Sequence, residues 1–556
     1  MSASSKKKLR KEQAAAAMTE KQLAEQKEAK KLKVYSISFV AVLALIVVTA
    51  LVVGGVTAFV NSGFLQRNTD AVTLGDATLS NADLNYFYVD QIQSDYNNWN
   101  QSYGENAQLF VMWMMGLDIT KPLNAQVYDA ETGKTFADYY KDMAVESAKN
   151  VYAIYNLAKA AGETLTEAQQ EELDMTVETL NLYAAMGQYS DGEAYLKDIY
   201  GPGATLENYS RYLEVKTVAT NYAQKYYSGI EVSDSDISAH SKENYDQFSA
   251  FDYSVFFVDV NDFLPCLGQD VAEDHTHSAE ELDAARKAAK EVAETLAASG
   301  ATDTQALDAA IAEIEAYKGK ESAKSGLRTK YTLAQVSEDQ GKWLSAADRK
   351  AGDLAMLTKE TTSTDAEGNK TTTVEGYNIM LFLGRDDREQ NLVNVRHILA
   401  SFKGGTTDAN GNKTYNLSEK QAAKDAIEAI QKEWLANGGT VEAFEALAKE
   451  KTEDAGSKEN GGLYEEVYPG QMDSNFNVWC FAEERKAGDY GIVETAHGYH
   501  LIYFVGQSEN TYRQLLVEDA LMKDRYTEWY NAQLEAVTVT ELNTEYLSLD
   551  YIIKRY

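Results

Sequence analysis

The sequence contains very few cysteines and prolines for its length. Only two cysteines and four prolines occur among 556 residues. Two cysteines cannot form a disulfide framework, which excludes the small disulfide-stapled class of exported domain. Four prolines exclude stiff proline-rich linkers between domains. Stability must therefore come from hydrophobic cores, and a hydrophobic content of 44% is sufficient for them.

Positive charge is also scarce. The chain has 52 lysines and arginines against 86 aspartates and glutamates, a net charge of −34. A surface this acidic repels phosphate groups, so nucleic acid is excluded as a partner. The length itself exceeds what one core supports and predicts three or four folded units.

The N-terminal segment departs from this acidic composition. Residues 1–33 carry ten lysines and arginines against four glutamates, and residues 34–60 carry no charge. An uncharged apolar run of this length can cross the ~30 Å hydrocarbon layer of a membrane as a helix. The basic flank predicts a cytoplasmic tail at 1–33, a transmembrane helix at 34–60 and an extracytoplasmic body. A cleaved signal peptide is the alternative, but its apolar region is usually only about 7–15 residues long.

The next segment, residues 65–250, has helical periodicity after one short strand and turn. Pairs of residues three apart, Ser80 with Asp83 and Thr166 with Gln169, have the spacing of a capping box at a helix start. Tyrosine, alanine and leucine are frequent here, and catalytic motifs are absent. The pattern predicts an all-α module that is not itself an enzyme.

Residues 251–385 and 391–507 contain an internal repeat. Trp343–Asp353 corresponds to Trp479–Asp489, and Gly376–Gly384 corresponds to Gly498–Gly506. Since similar segments occur in the same order, we predict two copies of one α+β unit.

The first strand of each copy and the helix after it extend this alignment. Strand 253–260 aligns with 394–401, which places Phe256 opposite His397 and Asn378 opposite His500. Each following helix has a predicted capping box, at 278–281 and 418–421. The first copy thus keeps the core pattern but lacks both histidines.

The second copy has a recognisable order of motifs. Strand 392–399 carries His397, the acidic run 452–457 and the pair Gly461-Gly462 follow, and strand 498–504 carries His500. This order resembles the parvulin family of peptidyl-prolyl isomerases. The helical segment ahead of it resembles the chaperone part of the bacterial foldases PrsA and SurA, so this chain is expected to be a membrane-anchored, extracytoplasmic foldase of that kind.

The parvulin resemblance implies a set of site residues. His397, Asp454 and His500 would be the catalytic group, with the two imidazoles side by side in the sheet. The implied substrate-binding residues are Gln471, Met472, Phe476 and Thr495, with Tyr464 or Val467 as an apolar wall.

Less specific interpretations of these residues remain open. The histidines could be core residues that only hold the sheet together, and Met472 and Phe476 could be ordinary packing. Glu453 could take the place of Asp454 in the acidic run. We expect no cofactor and no metal, because the pair His275 and His277 lacks a third ligand of clear spacing.

Together these patterns predict an α+β fold with a transmembrane helix, an all-α chaperone-like module and two tandem parvulin-like domains, the first degenerate. The C-terminal helical segment, residues 508–556, would pack back on the helical module. The resemblance implies a peptidyl-prolyl isomerase and chaperone that assists exported proteins at the outer face of the cytoplasmic membrane. Its partners would be unfolded, proline-containing polypeptides. The alternative is a holdase that binds peptides without catalysis.

Overall fold

The computed structural model describes residues 3–16, 27, 49, 58–265, 277–364, 368–408 and 411–553. The predicted transmembrane segment, 34–60, lies almost entirely outside these ranges, as do His275 and most of the basic tail. No helix within the described ranges is long and apolar enough to cross a membrane.

The described residues contain both helices and strands, which confirms a mixed α and β fold. The α-helices are α1 (Ala3–Ala16), α2 (Phe64–Asn68), α3 (Asn81–Tyr103), α4 (Ala107–Met115), α5 (Phe136–Ala160), α6 (Glu167–Met186), α7 (Gly192–Tyr200), α8 (Leu206–Ser228), α9 (Asp234–Glu243), α10 (Ala279–Ala297), α11 (Thr304–Glu313), α12 (Glu338–Leu344), α13 (Leu417–Ala436), α14 (Val441–Lys451), α15 (Ser474–Cys480) and α16 (Tyr512–Ala536). The strands are β1 (Asp70–Leu74), β2 (Ala77–Ser80), β3 (Val127–Asp129), β4 (Lys134–Thr135), β5 (Ala250–Asp259), β6 (Gly326–Tyr331), β7 (Leu354–Thr364), β8 (Lys370–Asp386), β9 (Asn391–Ser401), β10 (Thr406–Thr407), β11 (Lys413–Thr414), β12 (Leu463–Val467), β13 (Tyr490–Glu494), β14 (Gly498–Thr511) and β15 (Val539–Glu541).

One compact unit is formed by the described residues of Met1–Ile230 and Arg525–Tyr556. Its small sheet has the order β15-β1-β2, so the C-terminal strand pairs with the first one. Helices α3, α5 and α8 pack around a core rich in tyrosine, where Tyr86 stacks on Tyr212. The predicted capping boxes Ser80–Asp83 and Thr166–Gln169 are confirmed.

The other compact unit, Glu231–Asp524, contains two four-stranded antiparallel sheets. The first sheet has the order β6-β5-β8-β7 and the second the order β12-β9-β14-β13. Strands β5, β6, β7 and β8 occupy the same positions in the first sheet as β9, β12, β13 and β14 occupy in the second. Helix α10 covers one face of the first sheet, and α13 and α14 cover the same face of the second.

The strand registers correct one feature of the repeat alignment. Asn378 pairs with Phe257, whereas His500 pairs with Leu399. If Asn378 and His500 are equivalent, the counterpart of His397 is Val255, and the predicted equivalence with Phe256 is wrong by one residue. Phe256 instead faces the helices, because a shift of one residue turns a side chain to the other face of a sheet.

The start of α13 also differs from the prediction. The helix begins two residues earlier, with Asn416 as its N-cap and Glu419 completing the capping box, so the predicted pair Ser418 and Gln421 is wrong. An asparagine oxygen accepts the amide hydrogen of the third helical residue as well as a serine hydroxyl does. In the first repeat the box predicted at Ser278 and Glu281 is confirmed.

Candidate functional site

A cavity of about 610 Å³ lies on the face of the second sheet opposite α13 and α14. Side chains on strands alternate between faces, so His397, Leu399 and Ser401 point to the cavity while Ile398 and Ala400 pack on the helices. The lining comprises His397, Leu399, Ser401, Phe402, Tyr415, Asp454, Tyr464, Gln471, Met472, Asp473, Phe476, Thr495, His497 and His500. Gln471 and His497 are exposed, so the cavity reaches the surface.

The two predicted histidines lie in contact at the floor of this cavity. Their Nδ1 atoms are 2.9 Å apart, and their rings stack with centroids 5.2 Å apart. His397 Nε2 lies 3.1 Å from Asp454 Oδ2, and His500 Nε2 lies 2.9 Å from Thr495 Oγ1. The chain of contacts therefore runs from a threonine hydroxyl through both rings to a carboxylate.

One arrangement of protons satisfies these contacts with neutral rings. A carboxylate only accepts hydrogen bonds, so His397 Nε2 donates to Asp454 and its Nδ1 accepts from His500. His500 Nε2 then accepts the Thr495 hydroxyl proton, while Thr495 Oγ1 accepts the backbone N–H of His497 at 3.1 Å. The tautomer of each ring is thereby determined by its neighbours.

The environment opposes a positive charge on His500 and favours a negative charge on Asp454. Burial, followed by the nearby His397, lowers the pKa of His500 to about 3. The hydrogen bond from His397 is the main cause that holds the pKa of Asp454 well below its usual range, against the effect of burial. Ser457 and Tyr464 add to this by donating to Asp454 Oδ2 at 2.5 and 3.0 Å. At neutral pH the site therefore holds a neutral His500 and an ionised Asp454.

The acidic run places its two carboxylates differently. Asp454 faces the cavity, whereas Glu453 accepts the backbone N–H of Ser401 at 2.7 Å and pairs with Lys403 at 2.9 Å. The backbone N–H of Glu453 also donates to Leu399 O, which ties the run to β9. The geometry favours Asp454 over Glu453 as the carboxylate of the histidine network.

The pair Gly461-Gly462 allows β12 to approach β9 at His397. Gly462 has a φ of 77°, and a Cβ there would lie 2.2 Å from the carbonyl oxygen of His397. The backbone N–H of His397 donates to Gly462 O at 2.8 Å. Only glycine permits this close contact, and the contact holds the backbone of the histidine in place.

Met472 and Phe476 form the apolar part of the cavity wall. Phe476 is 3% exposed, and its ring meets both imidazoles edge-on, at 5.6 Å from His397 and 5.4 Å from His500. Met472 is partly buried beside it. The structure thus brings together His397, Asp454, Tyr464, Gln471, Met472, Phe476, Thr495 and His500 around one cavity.

Val467, the other residue expected in the apolar wall, does not line the cavity. It is fully buried in the core with Val393 and Phe476 and is not part of the cavity lining. The apolar wall is formed by Tyr464, which pairs with Val395 close to His397, whereas Val467 pairs with Val393 farther from the histidines along β9.

Sequence reasoning did not identify several lining or supporting residues. Ser457 is buried and donates both its backbone N–H and its hydroxyl to Asp454 Oδ2. An aspartate often accepts the backbone N–H of a residue shortly after it and so closes a turn. That spacing is visible in the sequence, as is the alternation that brings Leu399 and Ser401 to the same face as His397. Phe402, Tyr415 and Asp473 come from loops and carry no such signal.

A family model and several curated relatives each match part of the chain. Residues 377–508 match the family model described as a PPIC-type PPIase domain. The chain is similar to foldase protein PrsA 1 of Listeria monocytogenes serotype 4b (strain F2365), with 41% identity over 95 residues, 17% of this chain and 30% of the relative. PrsA 2 of Listeria monocytogenes serovar 1/2a (strain ATCC BAA-679 / EGD-e) is 39% identical over 61 residues, 11% of this chain and 21% of the relative. The chain thus spans less than a third of the length of these curated relatives.

Two solved structures overlap with parts of the chain at lower similarity. The crystal structure of PrsA from Bacillus subtilis has 14% identity, covers 74% of this chain and 88% of that chain, and has a TM-score of 0.24. PrsA from Bacillus anthracis has 23% identity, covers 27% of this chain and 59% of that chain, and has a TM-score of 0.17. The family match confirms that the chain contains a parvulin-type domain, and the curated relatives confirm its similarity to the PrsA foldases.

Proposed function

We propose that this chain, in which residues 377–508 match a parvulin-type domain, is a peptidyl-prolyl cis–trans isomerase and chaperone for exported proteins. The observation that supports it best is the position of Asp454, which faces a cavity lined by Met472 and Phe476 and is hydrogen-bonded to His397, which in turn contacts His500.

The reaction requires the twisted amide to be bound better than the planar one. Rotation about a prolyl bond has a barrier of ~18–20 kcal/mol, because resonance is lost on twisting. Met472 and Phe476 hold the proline ring and exclude water from the amide. Each 1.4 kcal/mol of preference for the twisted form accelerates rotation by about tenfold.

Asp454 contributes to this preference through its charge. In the planar amide, resonance places negative charge on the carbonyl oxygen, and twisting withdraws it. A carboxylate beside that oxygen destabilises the planar form more than the twisted form. His397 and His500 act as positioning residues: His397 donates to Asp454 and keeps it ionised, and His500 determines the tautomer of His397.

The experiment is a prolyl isomerisation assay of the full chain with a short Ala-Ala-Pro-Phe peptide. We expect Asp454→Asn to lower kcat/KM by at least about tenfold, because the charge is lost while the shape is kept. Asp425→Asn, which removes an exposed carboxylate from α13, is the matched control and should retain full activity. An Asp454→Asn protein as active as the wild type would contradict the proposed role of the carboxylate.

The domain layout belongs to the same proposal. We place a catalytic parvulin-like domain at 391–507 and a non-catalytic copy at 251–385, in which Val255 and Asn378 replace the histidine pair. Residues 65–250 and 508–556 would form the chaperone module, for which the pairing of β15 with β1 is the structural support.

We further propose that residues 34–60 anchor the protein in the cytoplasmic membrane with residues 1–33 in the cytoplasm. The support is the uncharged run and its basic flank. Protease digestion of intact spheroplasts should then remove the body and leave an N-terminal fragment in the membrane. Release of the whole chain as a soluble protein would contradict the anchor.

Binding of unfolded chains without catalysis is favoured by a separate observation. Large apolar side chains are exposed on α4 and α6, among them Leu109 at 68%, Trp113 at 82% and Met186 at 74%. Exposed apolar clusters mark interaction surfaces, and methionine adapts to varied partners.

The holding activity has its own test. We expect Leu109→Ser with Trp113→Ser to reduce suppression of aggregation of a denatured client while prolyl isomerisation of the short peptide is unchanged. The control is Leu417→Ser, which replaces an exposed leucine outside these helices. If the wild-type chain suppresses aggregation fully but does not isomerise the peptide, its function is that of a holdase.

A further inference from the structure

A four-residue turn, Tyr468-Pro469-Gly470-Gln471, leads into the wall of the cavity. The backbone N–H of Gln471 donates to Tyr468 O at 3.2 Å, and Gly470 has a φ of 93°. Proline in second place and glycine in third, with this positive φ, are the residues that a type II turn favours. Gln471 and the following Met472 both line the cavity. The position of the turn therefore sets the position of two candidate substrate-binding residues.

The turn also orients the side-chain amide of Gln471. The backbone N–H of Tyr468 donates to Gln471 Oε1 at 3.1 Å. A backbone N–H can only donate, so the amide oxygen faces the turn and Nε2 is the end that can donate to a bound peptide. A donor at this place can bind the carbonyl oxygen of a prolyl peptide in its planar and in its twisted form.

A tyrosine from outside the second repeat contacts this turn. Tyr512, the first residue of α16, stacks on Tyr468 with ring centroids 4.8 Å apart and an interplanar angle of 5°. The guanidinium of Arg388 lies over the Tyr512 ring, 5.3 Å from its centroid. Aromatic pairs and cations over aromatic rings are both favourable contacts. The turn is thus held by a group that residues 391–507 do not contain.

The backbone of Tyr512 is itself fixed. Its N–H donates to Gln390 O at 2.9 Å, and the N–H of Arg513 donates to Arg388 O at 2.7 Å. Both acceptors belong to the segment that joins the two sheets. The ring that stacks on the turn therefore has a well-defined place, because two backbone hydrogen bonds anchor the start of its helix.

We propose that Tyr512 is a positioning residue of the isomerase site, which acts by stacking on Tyr468. The stack holds the turn that places Gln471 and Met472 against the substrate. This inference rests on the proposed isomerase function. Displacement of the turn weakens contacts that the planar and the twisted peptide share, and loss of such uniform binding raises KM while kcat is kept. Asp454 lies on another loop and keeps its contacts.

The test is isomerisation of the Ala-Ala-Pro-Phe peptide by the full chain, with kcat and KM measured separately. We expect Tyr512→Ala to raise KM by about fivefold, as the loss of one aromatic pair allows, with kcat within about twofold of wild type. Tyr512→Phe keeps the ring and should keep the wild-type KM. Tyr530→Ala is the matched control, because Tyr530 is also a partly buried, stacked tyrosine of α16, and it should keep the wild-type KM.

A double-mutant cycle tests whether the two tyrosines act through one contact. Tyr468→Ala should raise KM as much as Tyr512→Ala does. The double variant should raise it no further, because either single change already removes the stack. Fully additive increases would contradict the inference, since each tyrosine would then act by itself.

The methyl ¹³C NMR signal of Met472 gives a readout that does not depend on catalysis. Met472 packs beside Phe476, and the shift of a methyl group depends on its place relative to a neighbouring aromatic ring. We expect the signal to move in Tyr512→Ala and to keep its wild-type position in Tyr512→Phe. Met472→Leu removes the signal and so identifies it.

The outcomes distinguish the positioning role from the activity on which it rests. An unchanged KM in Tyr512→Ala, a KM that is raised equally in Tyr512→Phe, or an equal rise in Tyr530→Ala would overturn the inference and leave the isomerase intact. Absence of catalysis by the wild type would instead overturn the isomerase proposal. The Met472 signal would then decide by itself whether Tyr512 holds the turn.

Discussion

His500 shows how a single buried group links the site to pH. Its imidazole is 7% exposed and lies between His397, Phe476 and Thr495. A protonated His500 ring would have to donate a hydrogen bond from both nitrogens. In the neutral network Nδ1 already donates to His397, and Nε2 accepts from the Thr495 hydroxyl. The folded protein therefore keeps the ring neutral at pH values where an unfolded chain would protonate it.

This difference predicts a loss of stability in acid. The pKa of His500 is lowered to about 3 in the folded state from about 6.5 in the unfolded state. Below pH 6.5 the unfolded chain therefore binds a proton that the folded chain does not. The free energy of unfolding falls as the pH drops from about 6.5, the pKa in the unfolded state, to about 3, the pKa in the folded state. We expect His500→Asn to remove about 1.4 kcal/mol per pH unit from the slope between pH 6 and 4.

The measurement is urea unfolding followed by the fluorotryptophan NMR signal of Trp434, which is buried in the core of the second sheet. Asparagine is chosen because Asn378 stands at the equivalent place in the first sheet. Equal slopes for both proteins would show that His500 is protonated in the folded state.

At the scale of elements, the end of β9 and the start of α13 are connected through capping. Glu419 belongs to the capping box of α13 and also accepts the N–H of Gly405 in the loop after β9. The cap therefore fixes the loop as well as the helix.

The observed cap leads to a stability prediction. Asn416→Ala should destabilise the second sheet and its helices by about 1 kcal/mol, because the amide of Glu419 loses its acceptor. Ser418→Ala, at the position first expected to cap the helix, removes one exposed hydrogen bond and should cost much less. Urea unfolding monitored at Trp434 compares the two, and the opposite order would place the cap at Ser418.

At the scale of the whole molecule, Arg513 joins distant parts of the 231–524 unit. Its side chain is 2% exposed and donates to Asp387 O at 2.7 Å, Tyr245 O at 2.7 Å and Ser249 Oγ at 2.8 Å. An ion pair with Glu389 at 3.0 Å balances its charge. One residue at the start of α16 thus holds the segment before the first sheet and the segment between the two sheets.

Removal of this arginine should be costly. Arg513→Met leaves the carbonyl groups of Asp387 and Tyr245 without their donor, and we expect a loss of about 3 kcal/mol from the 231–524 unit. The fluorotryptophan signals of Trp343 and Trp434 report the two sheets separately. Arg525→Met, outside this cluster on the same helix, is the control. Unchanged midpoints in the Arg513→Met protein would show that the cluster adds no stability.

The sequence alone indicated many of the helices and strands and the presence of a parvulin-type domain. Capping pairs such as Ser278 with Glu281 are local, because they depend on residues three positions apart. The order of motifs around His397, Asp454 and His500 was sufficient to indicate a parvulin-type domain, as the family comparison confirms.

Tertiary structure decided what depends on register and on side chains from separate elements. The equivalence of Val255 with His397 and the choice of Tyr464 rather than Val467 follow from how strands pair. The separate roles of Asp454 and Glu453 follow from the contacts of their loop with His397, Ser401 and Lys403. A shift of one residue reverses which side chains face the cavity, and the register of β9 is set by its pairing with β14, about a hundred residues later in the chain.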